Sequence, residues 1–89
     1  DGHTASLFPS HFYDENKNVV VECNSPKYPK ERVSMSYSRL NQSKNIFKVI
    51  NGKSKQGAVD LWSKGMILPI NQINGHSEKV YACENVFFK

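Results

Sequence analysis

Much of what marks a catalytic or membrane protein is missing from this sequence. Its 89 residues include two cysteines, two methionines, one tryptophan, four prolines and five glycines. No apolar run approaches the roughly 20 residues of a membrane-spanning helix. The longest, Met66-Ile67-Leu68-Pro69-Ile70, is broken by a proline, so no membrane partner is expected. A start methionine and a basic-then-apolar leader are both absent, and the chain reads as a mature or trimmed product. There is no Cys-x-x-Cys and no histidine pair at zinc-finger spacing, so no metal is expected. Without a glycine-rich phosphate loop, no cofactor is expected either. Serines are plentiful, but none sits in a Gly-x-Ser-x-Gly elbow. His3, His11 and His76 are scattered, and His3 is expected in a frayed end. The adjacent carboxylates Asp14-Glu15 fit a turn. With acid, base and cation nowhere clustered, no catalytic residue is expected, and the chain is read as a non-enzyme.

What is present fits one small domain over residues 1–89. A chain of this size buries about 60–65% of the surface its unfolded form exposes, a thin margin. Hydrophobic residues make up 38%, with a mean hydropathy of −0.58. That is polar, yet too aromatic for a disordered chain. Cys23 and Cys83 enclose 59 residues, and in so small a chain they read most simply as one disulfide. Such a bridge would contribute roughly 4 kcal/mol and imply secretion. Two buried free thiols are the alternative. The glycosylation sequon Asn41-Gln42-Ser43 is compatible with secretion.

Charge is unevenly placed. Nine basic residues lie from Lys27 to Lys64, against Glu31 and Asp60. Tyr28, Tyr37, Phe47 and Trp62 are interleaved with them, as on a single-strand nucleic-acid platform. The competing reading is aromatics inward and lysines outward on a soluble domain. Ten lysines against two arginines argue against base-edge recognition.

Along the chain, residues 1–10 read as a loose arm and 12–13 as a strand, followed by a turn. The β-branched run in 18–23 predicts a strand. Two prolines mark 24–29 as a loop. Residues 29–41 fit a helix, with Pro29 and Glu31 in the first turn and Val33, Tyr37 and Leu40 on one stripe. Val33, Met35 and Tyr37 also alternate with serines, a strand pattern; helix is favoured. Further strands are expected at 46–50, closed by Asn51-Gly52, and at 58–62, 66–70 and 79–88.

Two resemblances follow. Val21-Glu22-Cys23, then Tyr28, Val33 and Ser36, resemble the first half of the fungal guanyl-specific ribonuclease fold. Leu68-Pro69-Ile70 resembles that family's aromatic-Pro-Ile strand, and Glu78-Lys79-Val80-Tyr81 its Asp-Arg-Val-Val strand. The chain is most similar to the secreted ribonuclease-like effectors of powdery mildew fungi, the RALPH group. Their active relatives carry a glutamate where this chain runs Trp62 to Leu68, an arginine where it has Lys79, and a terminal histidine segment. The resemblance therefore implies an α+β fold, one α-helix packed on a twisted antiparallel sheet, with Cys23 tied to Cys83. It implies a catalytically inactive, monomeric effector, delivered into plant cells, that binds RNA or a host protein, including a plant immune receptor. The residues for that contact are Lys30, Arg32, Arg39, Lys48, Lys53 and Lys55, with Tyr28 and Trp62 for stacking. The second resemblance is to an immunoglobulin-like sandwich with an extracellular binding or adhesion role. Val19-x-Val21-x-Cys23 resembles its B strand, and Leu68-x-Ile70-x-x-Ile73 with Tyr81-x-Cys83 its E and F strands.

Overall fold

Three consecutive β-branched valines set the first regular element, β1 (Val19–Glu22), within the computed structural model, which describes residues 1–87. It pairs antiparallel with β2 (Arg32–Met35), Val20 opposite Ser34 and Val21 opposite Val33. Alternation then sorts the side chains. Val20, Glu22 and Ser34 face inward and are buried, while Val19, Val21, Val33 and Met35 form an exposed outer face. Ser36 ends the strand pattern. Its Oγ accepts from the Arg39 N–H at 3.1 Å and caps the short helix α1 (Tyr37–Asn41). The helix expected over 29–41 is thereby corrected. Serine alternation wins before Ser36, and helical spacing survives only after it.

The second unit starts with β3 (Asn45–Ile50), where the expected strand stands. Asn51-Gly52 does not close a hairpin. Gly52, at φ 103°, leads into a 3-10 turn at Lys53–Lys55 and then α2 (Gln56–Ser63). The chain returns as β4 (Ser77–Ala82), which pairs parallel with β3, Lys48 opposite Val80 and Val49 opposite Tyr81. A parallel neighbour requires a long crossover, and α2 lies on it. The strand expected at 58–62 is corrected accordingly: Ala58, Val59 and Trp62 recur at helical spacing, which their apolar character alone does not reveal. Residues 66–70 are not a strand; Pro69–Gln72 form a 3-10 turn. The last strand is shorter than 79–88 predicts and is followed by a 3-10 turn at Glu84–Val86. Position 88 lies outside the described residues.

Two two-stranded sheets, one antiparallel and one parallel, replace the expected antiparallel sheet with one helix, and equally the all-β sandwich. The expected disulfide is absent: Cys23 and Cys83 are free and exposed, each just past the end of a strand in a different sheet. Nor is the segment 1–10 a loose arm. Leu7 is fully buried and Phe8 is 3% exposed, and both join Val20, Leu68, Ile73 and Val86 in the core. Thr4 and Leu7 exchange backbone hydrogen bonds, and Ile70 N–H donates to the Gly2 carbonyl at 3.0 Å. Gly2, at φ 76°, sits where an added Cβ would lie 2.9 Å from the Leu68 side chain, so only glycine fits without displacement.

The sequon residue Asn41 is engaged through both amide atoms. Its Nδ2 donates to the Gln72 carbonyl and its Oδ1 accepts from Asn74 N–H at 2.7 Å, pinning α1 to the 72–74 loop.

Candidate functional site

The tight turn at Gly2 folds Asp1 back onto His3. Asp1 Oδ1 accepts from the His3 backbone N–H at 3.1 Å and lies 2.7 Å from its Nδ1. A carboxylate there favours the tautomer with hydrogen on Nδ1, which leaves Nε2 with the lone pair. The imidazole stacks on the buried Phe8 ring, with centroids 4.6 Å apart and planes 22° apart. Burial pushes the His3 pKa down. The positive charges of Lys55, Arg32 and Lys27 push it the same way.

His3 opens onto a cleft of about 380 Å³, walled by Thr4, Asn51, Lys55, Trp62 and Ile70. Lys55 comes from the turn that opens α2, Trp62 from α2 itself, and Asn51 from the end of β3. The carboxyl end of a parallel strand and the amino end of the following helix thus meet the amino-terminal segment. This is the place where α/β sheets collect ligands. The chemistry available is a base at His3 and a cation at Lys55.

A second polar cluster is structural. Glu22, 4% exposed, accepts from Tyr13 Oη at 2.6 Å, from Asn24 N–H at 2.8 Å, and pairs with His11 Nδ1. Burial alone would raise its pKa. The hydrogen bonds from Tyr13, His11 and Asn24 N–H outweigh that and hold the carboxyl at about 2. For the Tyr13 hydroxyl, burial and the bond to Glu22 both act upward.

The residues expected to carry an RNA or protein contact are dispersed. Tyr28 and Lys30 are exposed on the 24–31 loop, and Lys53 on the turn before α2. Arg32 and Arg39 are half-buried. Lys48 is buried, its Nζ 2.6 Å from Glu78 Oε1 and 5.4 Å from the Trp62 ring centroid. Of the set, only Lys55 and Trp62 line the His3 cleft. Among the described residues no His/Cys/Asp/Glu group could hold a metal ion, and no helix is long and apolar enough to cross a membrane. Sequence reasoning missed His3 by treating it as frayed. The available signal was Asp1-Gly2-His3 itself, a carboxylate two residues from an imidazole across a glycine.

Residues 1–82 match the family model described as glucosamine-6-phosphate isomerases/6-phosphogluconolactonase. The chain is 36% identical over 85 residues to "6-phosphogluconolactonase 3, chloroplastic" of Arabidopsis thaliana, covering 91% of this chain and 26% of the relative. It is 41% identical over 85 residues to the 6-phosphogluconolactonase of Helicobacter pylori strain J99, covering 90% of this chain and 37% of the relative. A probable 6-phosphogluconolactonase of Drosophila melanogaster is 39% identical over 62 residues, covering 66% of this chain and 26% of the relative. The chain thus spans about a quarter to a little over a third of these relatives' lengths.

These matches overturn the effector and immunoglobulin-like readings, and with them the host-protein, immune-receptor and RNA partners. The relatives carry the names of enzymes, against the non-enzyme expectation, and the Arabidopsis relative is named chloroplastic, against secretion and delivery into a host cell. The short motifs that carried the ribonuclease resemblance are scattered here over an antiparallel pair, a 3-10 turn and one parallel strand, and the chain matches a Rossmann-like α/β family. The chain belongs to the glucosamine-6-phosphate isomerase/6-phosphogluconolactonase family.

Proposed function

We propose that this chain supplies the base and the phosphate-binding cation of a lactonase acting on a phosphorylated sugar lactone. The observation that carries the reading is the meeting of His3 and Lys55 across one cleft. In this reading neutral His3 takes a proton at Nε2 from a water molecule as the water oxygen attacks the lactone carbonyl. The ring C–O bond then breaks, and the imidazolium returns the proton to the departing ring oxygen. One water is consumed and one hydroxy acid is formed. Asp1 holds the imidazole through Nδ1 and stabilises its transient charge. The lowered pKa of His3 keeps it in the basic form at neutral pH. Lys55, beside the positive end of the α2 dipole, is suited to a phosphate. The names of the relatives support the same substrate class.

The test is the rate of ring opening of 6-phosphogluconolactone beside the unphosphorylated lactone. His3→Gln is expected to lower kcat by about 10²–10⁴-fold. Lys55→Ala is expected to raise KM for the phosphorylated lactone and leave the unphosphorylated one unchanged. Full activity in His3→Gln would remove the base from this site, and a KM for the phosphorylated lactone unchanged by Lys55→Ala would remove the phosphate from it.

A further inference from the structure

An imidazole that must accept a proton along a fixed direction needs its plane held as well as its rotation. Asp1 fixes the rotation through Nδ1. The plane is set by Phe8, whose ring is 3% exposed and carries the stacked His3. Two more groups meet that ring: His11, tilted at 5.9 Å, and the Arg32 guanidinium, its Cζ 5.6 Å from the ring centroid. Arg32 is itself anchored. Its Nε donates to the Pro29 carbonyl at 2.9 Å and its Nη2 to the Lys27 carbonyl at 3.0 Å. A guanidinium committed to two loop carbonyls and an aromatic ring is poorly placed to turn toward a substrate phosphate.

We infer that Arg32 and Phe8 are positioning residues for His3: the guanidinium, pinned by the 27–29 loop, holds the buried ring against which the imidazole lies. This rests on the reading of His3 as the base. It gives β2 a part in a site that it does not line, because Arg32 opens that strand. It also gives the 24–31 loop a purpose beyond connection, since two of its carbonyls fix the guanidinium. The charged groups bearing on His3 are the Asp1 carboxylate, Lys55, Arg32 and Lys27, and the cations among them favour the neutral ring. His11, on the far side of the relay, is tied to Glu22.

The experiment measures the His3 imidazole titration by NMR in the full chain, together with kcat and KM for 6-phosphogluconolactone, in Arg32→Gln, Arg32→Lys and Phe8→Leu. Loss of one positive charge is expected to raise the His3 pKa in Arg32→Gln, because the guanidinium is among the cations that depress it. The acid limb of kcat should move with it, kcat should fall about tenfold through loosened geometry, and KM should stay within about twofold. Arg32→Lys should restore the titration, because the charge returns. Phe8→Leu should lower kcat further. An unchanged titration with unchanged kcat in Arg32→Gln would overturn the inference, and so would a large rise in KM at constant kcat, which would make Arg32 a substrate contact. If Arg32→Gln loses the core methyl signals of Leu7 and Val20, Arg32→Lys decides: native titration with lowered kcat supports positioning, and native kcat overturns it. If the unaltered chain opens no lactone, the base reading fails alone, and the His3 ring-proton shifts, which the stacked Phe8 ring sets, still decide the relay: a change in Arg32→Gln that persists in Arg32→Lys supports it, and native shifts in both overturn it.

Discussion

The antiparallel pair β1–β2 and the parallel pair β3–β4 each bury one charged side chain, and they neutralise it by different means. Glu22 in β1 collects three donors, two of them from the stretch preceding the strand. Lys48 in β3 meets one carboxylate, Glu78 of β4, whose side chain is 27% exposed, and the face of Trp62 from α2. The first arrangement draws a chain segment without regular structure onto a sheet. The second ties two strands to the helix that crosses between them. Hydrogen bonding therefore organises the antiparallel unit, whereas the parallel unit is tied by one ion pair and one cation–ring contact. Outer faces make a second contrast. β1–β2 presents the small aliphatic set Val19, Val21, Val33 and Met35, and β3–β4 presents Phe47, Val49 and Tyr81, with the two aromatic rings stacked at 6.3 Å.

The sharpest way to break the comparison is Glu22→Leu. It leaves Tyr13 Oη, His11 and Asn24 N–H without their acceptor, and a loss of about 3 kcal/mol is expected in urea unfolding. An effect below about 1 kcal/mol would make the cluster decorative. Next comes Gly75→Ala in the parallel unit. An added Cβ would stand 2.7 Å from the Ser43 carbonyl oxygen and 3.0 Å from the Ile46 side chain, so backbone must shift, at about 2 kcal/mol. Thermal unfolding of the variant reads this directly.

Acid unfolding sharpens the contrast further. The Glu22 carboxyl sits at about 2 in the folded chain, below its ordinary value near 4.5. The folded state thus binds fewer protons than the unfolded one between those values. Its stabilisation is complete above about pH 4.5 and is lost as pH falls toward 2. Stability measured from pH 5 to pH 2 should decline, and the decline should flatten in Glu22→Gln. The smallest effect is expected from Lys48→Met, about 1 kcal/mol or less, because methionine can follow the lysine stem beneath Trp62 and Glu78 retains contact with water. A loss as large as that of Glu22→Leu would erase the distinction between the two units.

Legibility in the sequence cut across that divide. β1 and β3 were readable because runs of β-branched and aromatic residues have few alternatives. The 29–41 segment was half readable, since one serine, Ser36, serves both as the last residue of an alternating pattern and as a helix cap. α2 was not, because Val59, Leu61 and Trp62 suit a strand equally well until the parallel return of β4 demands a crossover. Trp62 and Lys55 were picked out for their chemical type, without any indication that they share a cleft. His3 was invisible for a related reason. Its place at the cleft comes from the burial of Leu7 and Phe8 and from the bond between Gly2 and Ile70, contacts between distant parts of the chain that no local pattern encodes.

That last bond has a kinetic consequence. His3 and Lys55 stand 52 positions apart, and the Gly2–Ile70 bond closes a longer loop still. Contacts of such separation carry the largest loop-closure entropy, so they form after the local turns and helices. A chain with α2 and the β1–β2 ladder in place but its first residues undocked would have native-like circular dichroism and no cleft. Recovery of the His3 environment during refolding should therefore trail the recovery of secondary structure, making this histidine a reporter of the final docking step.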